Sequence, residues 1–282
     1  MLVGPRTRLT KNRDNLIMSD SETSTYYVVG KLSPEEDCRD FNPGEIQIDD
    51  GWVIDIFHAG MSIWKAGESR TFGDVKAIML DVLETSVICF NLISGLKLKF
   101  ANQSWLEARG VISKSNTIGW FLSRMDDKWT FNPEAEVNKI WRRIGPFVFP
   151  INDSFQHKMA LRDYRSCVEN PGDDTFFYAY RMLEDVRRAA TKKDDEKNWP
   201  DMHSILGTTE EELKPLTNVS EKVRHGEVHD PIVIESRKKR KELLKIGIDV
   251  MKKEFDRAFP GLLSVSSGDA SNLTSIEREV AK

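Results

Sequence analysis

The sequence has little of what marks a secreted, disulfide-bonded or metal-binding protein. Its 282 residues contain three cysteines, Cys38, Cys89 and Cys167, which are too few and too scattered for a disulfide framework or a metal-ligand spacing. No stretch resembles the apolar core of a signal peptide. A reducing compartment is therefore expected, and the sequence predicts a cytoplasmic protein.

Long uninterrupted apolar runs are missing as well. The most apolar stretch, residues 77–98, carries Asp81, Glu84 and Asn91, which a single membrane-spanning helix would not tolerate well. Charge of one sign is also missing, because 41 Lys and Arg face 45 Asp and Glu for a formal net charge of −4. We therefore expect no membrane, and any contact with nucleic acid must use a local basic patch.

The sequence also lacks the short motifs of common catalytic sites. It has no phosphate-cradling glycine loop, no nucleophile elbow and no zinc motif, and no segment repeats. Neither a metal nor another cofactor is therefore expected. Aromatic residues are plentiful instead, with 14 Phe, 7 Trp and 5 Tyr along most of the length, which favours a packed core over a disordered chain.

The first half of the chain has the spacing of a small sheet with one helix. Strands are predicted at 26–32, in two parts of 45–59, within 61–71, at 96–100 and at 104–111. Asp49-Asp50-Gly51 is a turn signal, so the two strands around it should form a hairpin. Residues 72–94 repeat apolar side chains at three- and four-residue spacing, which predicts a long helix capped by Gly95.

The second half has helical spacing. Helices are predicted at 134–144, 154–168, 174–190, 199–206, 208–216 and 230–259. The first of these lies in a predicted connector at 115–149. Gly207 suits a helix C-cap, and Thr208 or Thr209 suits an N-cap. The predicted fold class is α+β, with an N-terminal small sheet and one long helix followed by a C-terminal all-α bundle of four to five helices.

This pattern predicts four parts of the chain. Residues 1–25 are expected to be a disordered tail, with Met18 as an alternative start, and residues 26–149 an α+β domain of unknown role that includes the connector. Residues 150–260 are expected to form the helical domain, and residues 261–282 a flexible tail.

One short segment concentrates groups that can act on a phosphate. Arg224, His225 and His229 lie within six residues. A guanidinium can hold two phosphate oxygens, and an imidazole can take a proton from one oxygen and return it to another. The alternative is a helix that ends at Arg224 with Gly226 as its cap, which would leave both histidines in solvent.

Arg224 is followed by a polar residue, His225, and four residues separate Arg224 from His229. This Arg-x4-His pattern resembles the motif of the HEPN superfamily. These are compact α-helical domains of many prokaryotic toxin and antiviral ribonucleases. The resemblance covers residues 153–260, including the order of the segments that precede and follow the motif. It implies a HEPN-like helical domain behind an uncharacterised α+β domain. The segments that carry it are 177–184, 199–207, 216–218 and 224–226.

The resemblance implies a metal-independent endoribonuclease, a stress or phage-defence effector regulated by its N-terminal domain. Two copies would pair as a homodimer around RNA. His229 would be the general acid and base, Arg224 would stabilise the phosphorane, and His225 would support the pair. The products would be a cyclic phosphate and a 5′-hydroxyl. Many members have lost catalysis, so the alternative is a non-catalytic HEPN-like sensor or protein-interaction scaffold.

Other residues are weaker candidates. Glu184 could orient Arg224, although a surface glutamate is the ordinary interpretation. A five-residue basic run at the start of the last helix could steer RNA toward the motif, or it could be a solvated face. Its members are Arg237, Lys238, Lys239, Arg240 and Lys241. Trp120, Trp129 and Trp141 could stack on bases, although packing between the two halves is the more frequent role. We expect His157 and His203 to be surface or cap residues and Cys89 to be buried.

Overall fold

The computed structural model describes most of the chain between Ser24 and Ser264. The described residues are 24–33, 44–48, 51–57, 60–68, 70–95, 98–109, 136–169, 174–195, 198–225 and 237–264. Within them the predicted α+β class is confirmed: a small antiparallel sheet near the N-terminus is followed by a helical region. The predicted tails at 1–25 and 261–282 lie largely outside the described residues.

The sheet has five antiparallel strands in the order β2-β3-β4-β1-β5. The strands are β1 (Ser24–Ser33), β2 (Gly44–Gln47), β3 (Val53–Phe57), β4 (Gly60–Glu68) and β5 (Lys99–Arg109). The predicted hairpin is confirmed: β2 pairs with β3, and the amide of Ile48 donates to the carbonyl of Trp52 at 2.8 Å. Gly51 has the left-handed φ of 73° that this turn needs.

The two strands predicted at 96–100 and 104–111 are one strand, β5, so this prediction was wrong. The cause is an irregular register against β1, where Val29 faces Ser104 but Gly30 faces Asn102. One extra residue of β5 is accommodated there, as in a β-bulge. Pairing with β1 along the whole of 99–109 makes this segment one strand.

Helix α1 (Phe72–Ser94) has the predicted bounds, because both of its ends are specified locally. Thr71 and Asp74 form a reciprocal capping box at its start. At its end Gly95 has a left-handed φ of 77°, and its amide donates to the carbonyl of Asn91 at 2.9 Å.

Among the described helices, α1 alone is long and apolar enough to cross a membrane. A buried core helix passes the same test, and 61% of the tested window is buried.

The remaining described helices follow in chain order. They are α2 (Glu136–Ile144), α3 (Val148–Asp153), α4 (Phe155–Glu169), α5 (Asp174–Thr191), α6 (Trp199–Leu206), α7 (Glu210–Arg224) and α8 (Arg237–Ala258), with a 3-10 turn at Gly145–Phe147. Helix α3 was not expected, since it spans the predicted boundary between the connector and the helical domain at 149 and 150. Its Pro150 is in the first turn, where the missing N–H has no helical partner to lose.

Helix α7 continues eight residues beyond the predicted end at Leu216. The hydroxyls of Thr217 and Ser220 donate to the carbonyls of Leu213 and Leu216, at 3.3 and 2.9 Å. Each hydroxyl thus bonds to the preceding turn of the same helix, so these polar residues are compatible with helix. The end of α7 is Arg224, with His225 as its C-cap.

The core is one continuous cluster of buried apolar side chains that runs from the sheet through α1 into the helical region. Helix α1 contacts strands β1, β4 and β5 and also helices α2, α3 and α4. Phe90 of α1 stacks on Trp141 of α2, with ring centroids 4.3 Å apart. The expectation that Trp141 packs between the two halves is confirmed, while Trp120 and Trp129 lie outside the described residues.

Ion pairs line the outer edge of the contact between α1 and α4. Lys158 lies 2.5 Å from Asp81, and Arg165 lies 2.5 Å from Glu84. All four side chains are partly exposed, so each pair contributes about 0 to 1 kcal/mol. The apolar contacts therefore supply most of the stability, and the pairs specify how the two helices face each other.

At Gly145 the 3-10 turn approaches strand β2 so closely that a side chain would not fit. A Cβ at this position would lie 2.8 Å from the backbone oxygen of Gln47 and 2.8 Å from Cγ2 of Ile46. We expect Gly145→Ala to lower the free energy of unfolding by about 1 to 3 kcal/mol, because the backbone of β2 must move. Urea denaturation followed by circular dichroism measures this change.

Gly73→Ala is the matched control, since a Cβ there would meet its nearest atom, Oγ1 of Thr71, at 3.7 Å. It should be neutral or stabilise by up to about 1 kcal/mol, as alanine favours helix. Equal unfolding free energies for the two variants would contradict the close approach.

Candidate functional site

The predicted motif begins at the C-terminal end of α7. Thr209 and Glu212 form a capping box at the start of this helix, and Lys222 and Arg224 in its last turn complement the helix dipole. Arg224 and His225 are both exposed. Nη2 of Arg224 lies 3.5 Å from Nε2 of His225, the outer limit of a hydrogen bond.

The guanidinium of Arg224 lies over an aromatic ring rather than beside a carboxylate. Its Cζ is 4.9 Å from the ring centroid of Tyr180 on α5. Glu184, the predicted partner, follows one turn later on α5 and is half-buried. Among the described side chains Arg224 has no ion pair with Glu184 or with another carboxylate, so the predicted support by Glu184 is not seen. Tyr180 takes that place, and no described carboxylate neutralises the positive charge.

The other predicted residues of the motif are placed only in part. His229 falls within 226–236, outside the described residues, as does Gly226. The five-residue basic run opens α8. Lys239 and Lys241 are exposed and Arg240 is half-buried, while the side chains of Arg237 and Lys238 are not described. The proximity of Arg224 and His229 therefore stays a prediction.

A cleft lies between α5, α6 and α7, beside the Arg224 site. Its volume is about 390 Å³, within the usual range for small-ligand pockets. Helix α7 contributes one face to it, since Glu210, Lys214, Thr217 and Glu221 recur at spacings of four, three and four residues. Arg224 follows Glu221 by three residues and therefore continues the same face by one turn.

The opposite wall of the cleft is aromatic. Trp199 lies between Tyr180 and His203, with ring centroids 6.3 and 6.4 Å away. Nδ1 of His203 lies 2.9 Å from Oγ1 of Thr208, which holds the imidazole in place. His203 is thus part of the cleft wall rather than a simple surface residue. The four-residue spacing of Trp199 and His203 on a helix could have indicated their shared face.

A fully buried arginine supports this wall from the interior. Arg187 of α5 has no exposed surface, and its Cζ lies 5.5 Å from the ring centroid of Trp199. Its Nη1 donates to the backbone carbonyl of Asp195. Within the described part of the chain, Nε and Nη2 of Arg187 have no hydrogen-bond partner.

Ser154, His157 and Glu254 form a hydrogen-bonded array that joins α4 to α8. The array has the residue types of a catalytic nucleophile with its base, but not the exposure that catalysis needs. Oγ of Ser154 lies 2.6 Å from Nδ1 of His157, and Nε2 of His157 lies 3.0 Å from Oε1 of Glu254. His157 is 8% exposed and Glu254 is fully buried. The rings of Phe255 and Phe259 pack against the imidazole. This array is a structural contact, and the expectation that His157 is a surface or cap residue was wrong.

Glu254 is charged in the folded protein despite its burial. Burial raises the pKa of this carboxyl, but hydrogen bonds from His157 and Arg257 lower it further, so the net pKa shift is downward. Arg257 contributes two of these bonds, at 2.7 and 2.8 Å. A lowered folded-state pKa stabilises the fold at neutral pH, and the stabilisation is lost as the pH falls through that pKa.

We therefore expect Glu254→Gln to lower the free energy of unfolding by about 3 kcal/mol at pH 7, since it weakens a buried charged contact. The loss should shrink as the pH is lowered below 4.5, which chemical denaturation across pH measures. Asp256→Asn, on an exposed position of the same helix, is the control and should change little. A loss that stays constant with pH would contradict the role of charge.

A second buried acidic group lies between α4 and α5. Asp163 is 3% exposed, and burial raises its pKa to about 6, opposed by Arg181 and reinforced by Asp185. Nε of Arg181 lies 3.3 Å from Oδ2 of Asp163, and Arg188 pairs with Asp185 at 3.3 Å. Within the described residues no group of three or more His, Cys, Asp or Glu side chains suits a metal ion.

A raised pKa means that Asp163 stabilises the folded state least when it is ionised. Stability is lost as the pH rises from the unfolded value of 3.8 through about 6. We expect Asp163→Asn to stabilise the protein by about 1 kcal/mol at pH 8 and to have a smaller effect at pH 4.5. Thermal unfolding at both pH values, with Asp153→Asn as the exposed control, measures this. Destabilisation at pH 8 would show that the Arg181 pair dominates instead.

Comparison with known proteins yields one family. Residues 148–257 match the family described as the C-terminal domain of DUF8168, a domain of unknown function. This range covers α3 through nearly all of α8, and so includes the cleft and Arg224. Neither the curated proteins nor the solved structures contain a match. The family description assigns no activity.

Proposed function

We propose that this protein is a metal-independent endoribonuclease of HEPN type with its active site at the C-terminal end of α7. One observation carries the proposal most: Arg224 is exposed, has no ion pair among the described side chains, and continues the α7 face that lines an open cleft. An arginine in this position is available to an anionic ligand. The type of reaction that we propose comes from the resemblance of the Arg224–His229 pattern to the HEPN motif.

In the proposed reaction the 2′-hydroxyl oxygen of RNA attacks the adjacent phosphorus. His229 takes the hydroxyl proton, the bond from phosphorus to the 5′-oxygen breaks, and His229 returns the proton to that oxygen as it leaves. The products are a 2′,3′-cyclic phosphate and a 5′-hydroxyl, so atoms and charge balance. Arg224 stabilises the negative charge that develops on the phosphorane oxygens, and His225 supports the pair.

The proposal includes two further elements. Two copies of the chain would pair so that both motifs face one RNA cleft, and the N-terminal domain would restrain the enzyme as in a stress or phage-defence effector. The basic run at the start of α8 would attract the RNA backbone. The contacts between α1 and the helices α2 to α4 give the N-terminal half a direct route to influence the helical half.

A non-catalytic HEPN-like sensor or interaction scaffold is the second candidate. The contact of Arg224 with Tyr180 favours it, because a cation over a ring can be a purely structural arrangement at a helix end. In that case the Arg224–Tyr180 contact would stabilise the packing of α7 on α5. The two candidates predict different effects of removing the Arg224 guanidinium on RNA cleavage and on the free energy of unfolding.

The test is an RNA cleavage assay in EDTA with the full chain. We expect Arg224→Ala and His229→Ala to reduce the cleavage rate at least a hundredfold, because each removes one catalytic interaction. Arg162→Ala is the matched control, since Arg162 is an exposed arginine in the α1–α4 ion pairs and lies outside the proposed site. Mass spectrometry of the products should find the cyclic phosphate.

Stability and oligomeric state are measured on the same variants. Unchanged cleavage in Arg224→Ala and His229→Ala, or no cleavage by the parent, would reject the nuclease. If Arg224→Ala lowers the unfolding free energy by about 1 kcal/mol and the parent does not cleave RNA, the scaffold is supported instead. Analytical ultracentrifugation should show a dimer; a monomer at assay concentration would contradict the paired site.

A further inference from the structure

We propose that the cleft between α5, α6 and α7 binds one unpaired nucleobase, whose attached phosphate contacts Arg224. The inference rests on the proposed function for RNA as the source of that base. Base binding itself can be measured without cleavage, so the two ideas can fail separately. The cleft is lined by Tyr180, Trp199, His203, Thr217, Asn218 and Glu221, among others.

The cleft has an aromatic wall on which one flat group can stack. The rings of Tyr180 and Trp199 meet at 48° with centroids 6.3 Å apart, so they are neighbours in one wall rather than two sides of a slot. Leu213 is buried and forms an apolar part of the lining. A base can therefore stack on Trp199 and remain in contact with apolar surface, which is how proteins hold single-stranded bases.

The two guanidiniums at the ring faces favour a base over a cation as the stacking partner. Arg187 is fully buried, whereas Trp199 is half-buried and lines the cleft. The guanidinium therefore covers the interior face of the indole ring. Tyr180 in turn has Arg224 over its ring. Because both rings already contact a guanidinium, their attraction for a further cation is weakened, and an electron-rich base is favoured as the stacking partner.

The α7 side of the cleft offers groups for the edge of a base. Thr217 has a hydroxyl, Asn218 an amide and Glu221 a carboxylate, which together provide hydrogen-bond donors and acceptors. The hydroxyl of Thr217 is directed to carbonyls of its own helix, and Asn218 and Glu221 are exposed. These two side chains are therefore the candidates for recognition of the base edge.

The end of the cleft fits a phosphate. Arg224 follows Glu221 by one helical turn on the same face, and its guanidinium lies at the ring of a cleft residue, Tyr180. A base beside Glu221 therefore has its sugar and phosphate directed toward Arg224. Bases in a duplex are stacked on both faces and cannot enter such a pocket, so the site selects a single strand.

The probes are the four nucleoside monophosphates, the matching nucleosides and ribose 5-phosphate, titrated into the full chain by isothermal titration calorimetry. We expect monophosphates to bind best, with nucleosides weaker and ribose phosphate undetectable. Trp199→Leu removes the stacking ring and should weaken binding about tenfold to a hundredfold. Thr217→Phe fills the cleft from α7 without removing a core residue, and should abolish binding.

Phe155→Ala is the control, because Phe155 is an aromatic residue on α4 that is 67% exposed and away from the cleft. It should leave binding unchanged. Circular dichroism confirms that each variant is folded. If Trp199→Leu does not fold, because Arg187 packs against Trp199, Thr217→Phe alone decides the outcome.

Titration with a single-stranded RNA oligonucleotide and with its duplex distinguishes RNA from a free nucleotide as the source of the base. Stronger binding of the single strand than of the monophosphates, lost in Thr217→Phe, identifies RNA. Monophosphate binding without a gain for the strand identifies a free nucleotide instead. No monophosphate binding by the parent, equal binding by Thr217→Phe, or binding of choline instead of nucleotides overturns the proposal. If Thr217→Phe cleaves RNA as fast as the parent, the base-binding pocket is rejected and the nuclease proposal stands. If the parent binds monophosphates but does not cleave RNA, the nuclease is rejected and the pocket stands.

Discussion

Burial of α1 from two sides is the constraint on which the rest of the structure depends. The sheet covers one side of this helix, and α2, α3 and α4 cover the other. Its apolar side chains are buried around most of its circumference, including Val75, Val82 and Phe90. A helix that is apolar nearly all round must be enclosed. The two halves of the chain therefore share a core, and the buried contact between Phe90 and Trp141 links them.

Helix α5 has the corresponding position in the helical half. It packs on α4, α6, α7 and α8, and it supplies Tyr180 and Arg187 to the cleft wall. Because the cleft is built on packed helices, the backbone that carries its side chains is held in place, which would lower the ordering cost for a ligand that binds there. Arg187 is costly to bury without full hydrogen bonding, and it is placed where it supports the one tryptophan of the cleft.

The described arginines of the helical half differ in their partners. Arg165, Arg188 and Arg257 each contact a carboxylate, so their charge is used within the fold. Arg224 contacts a ring instead and is exposed at a helix end. This difference in partners distinguishes a candidate anion site from structural charge, and sequence spacing alone does not reveal it. The neighbouring aromatic cleft is likewise formed by the packing of three helices.

The sequence by itself determined the elements whose signals are local. The bounds of α1 follow from Thr71 and Gly95, and those of α6 from its spacing and Gly207, because capping depends on residues within one turn. Tertiary structure alone decided the continuity of β5, which depends on its pairing with β1, and the contact of His157 with Glu254, which are 97 residues apart. It also brought Tyr180, Trp199 and Glu221 to one cleft. Such contacts depend on how whole helices pack, and that is a property of the complete core rather than of any one segment.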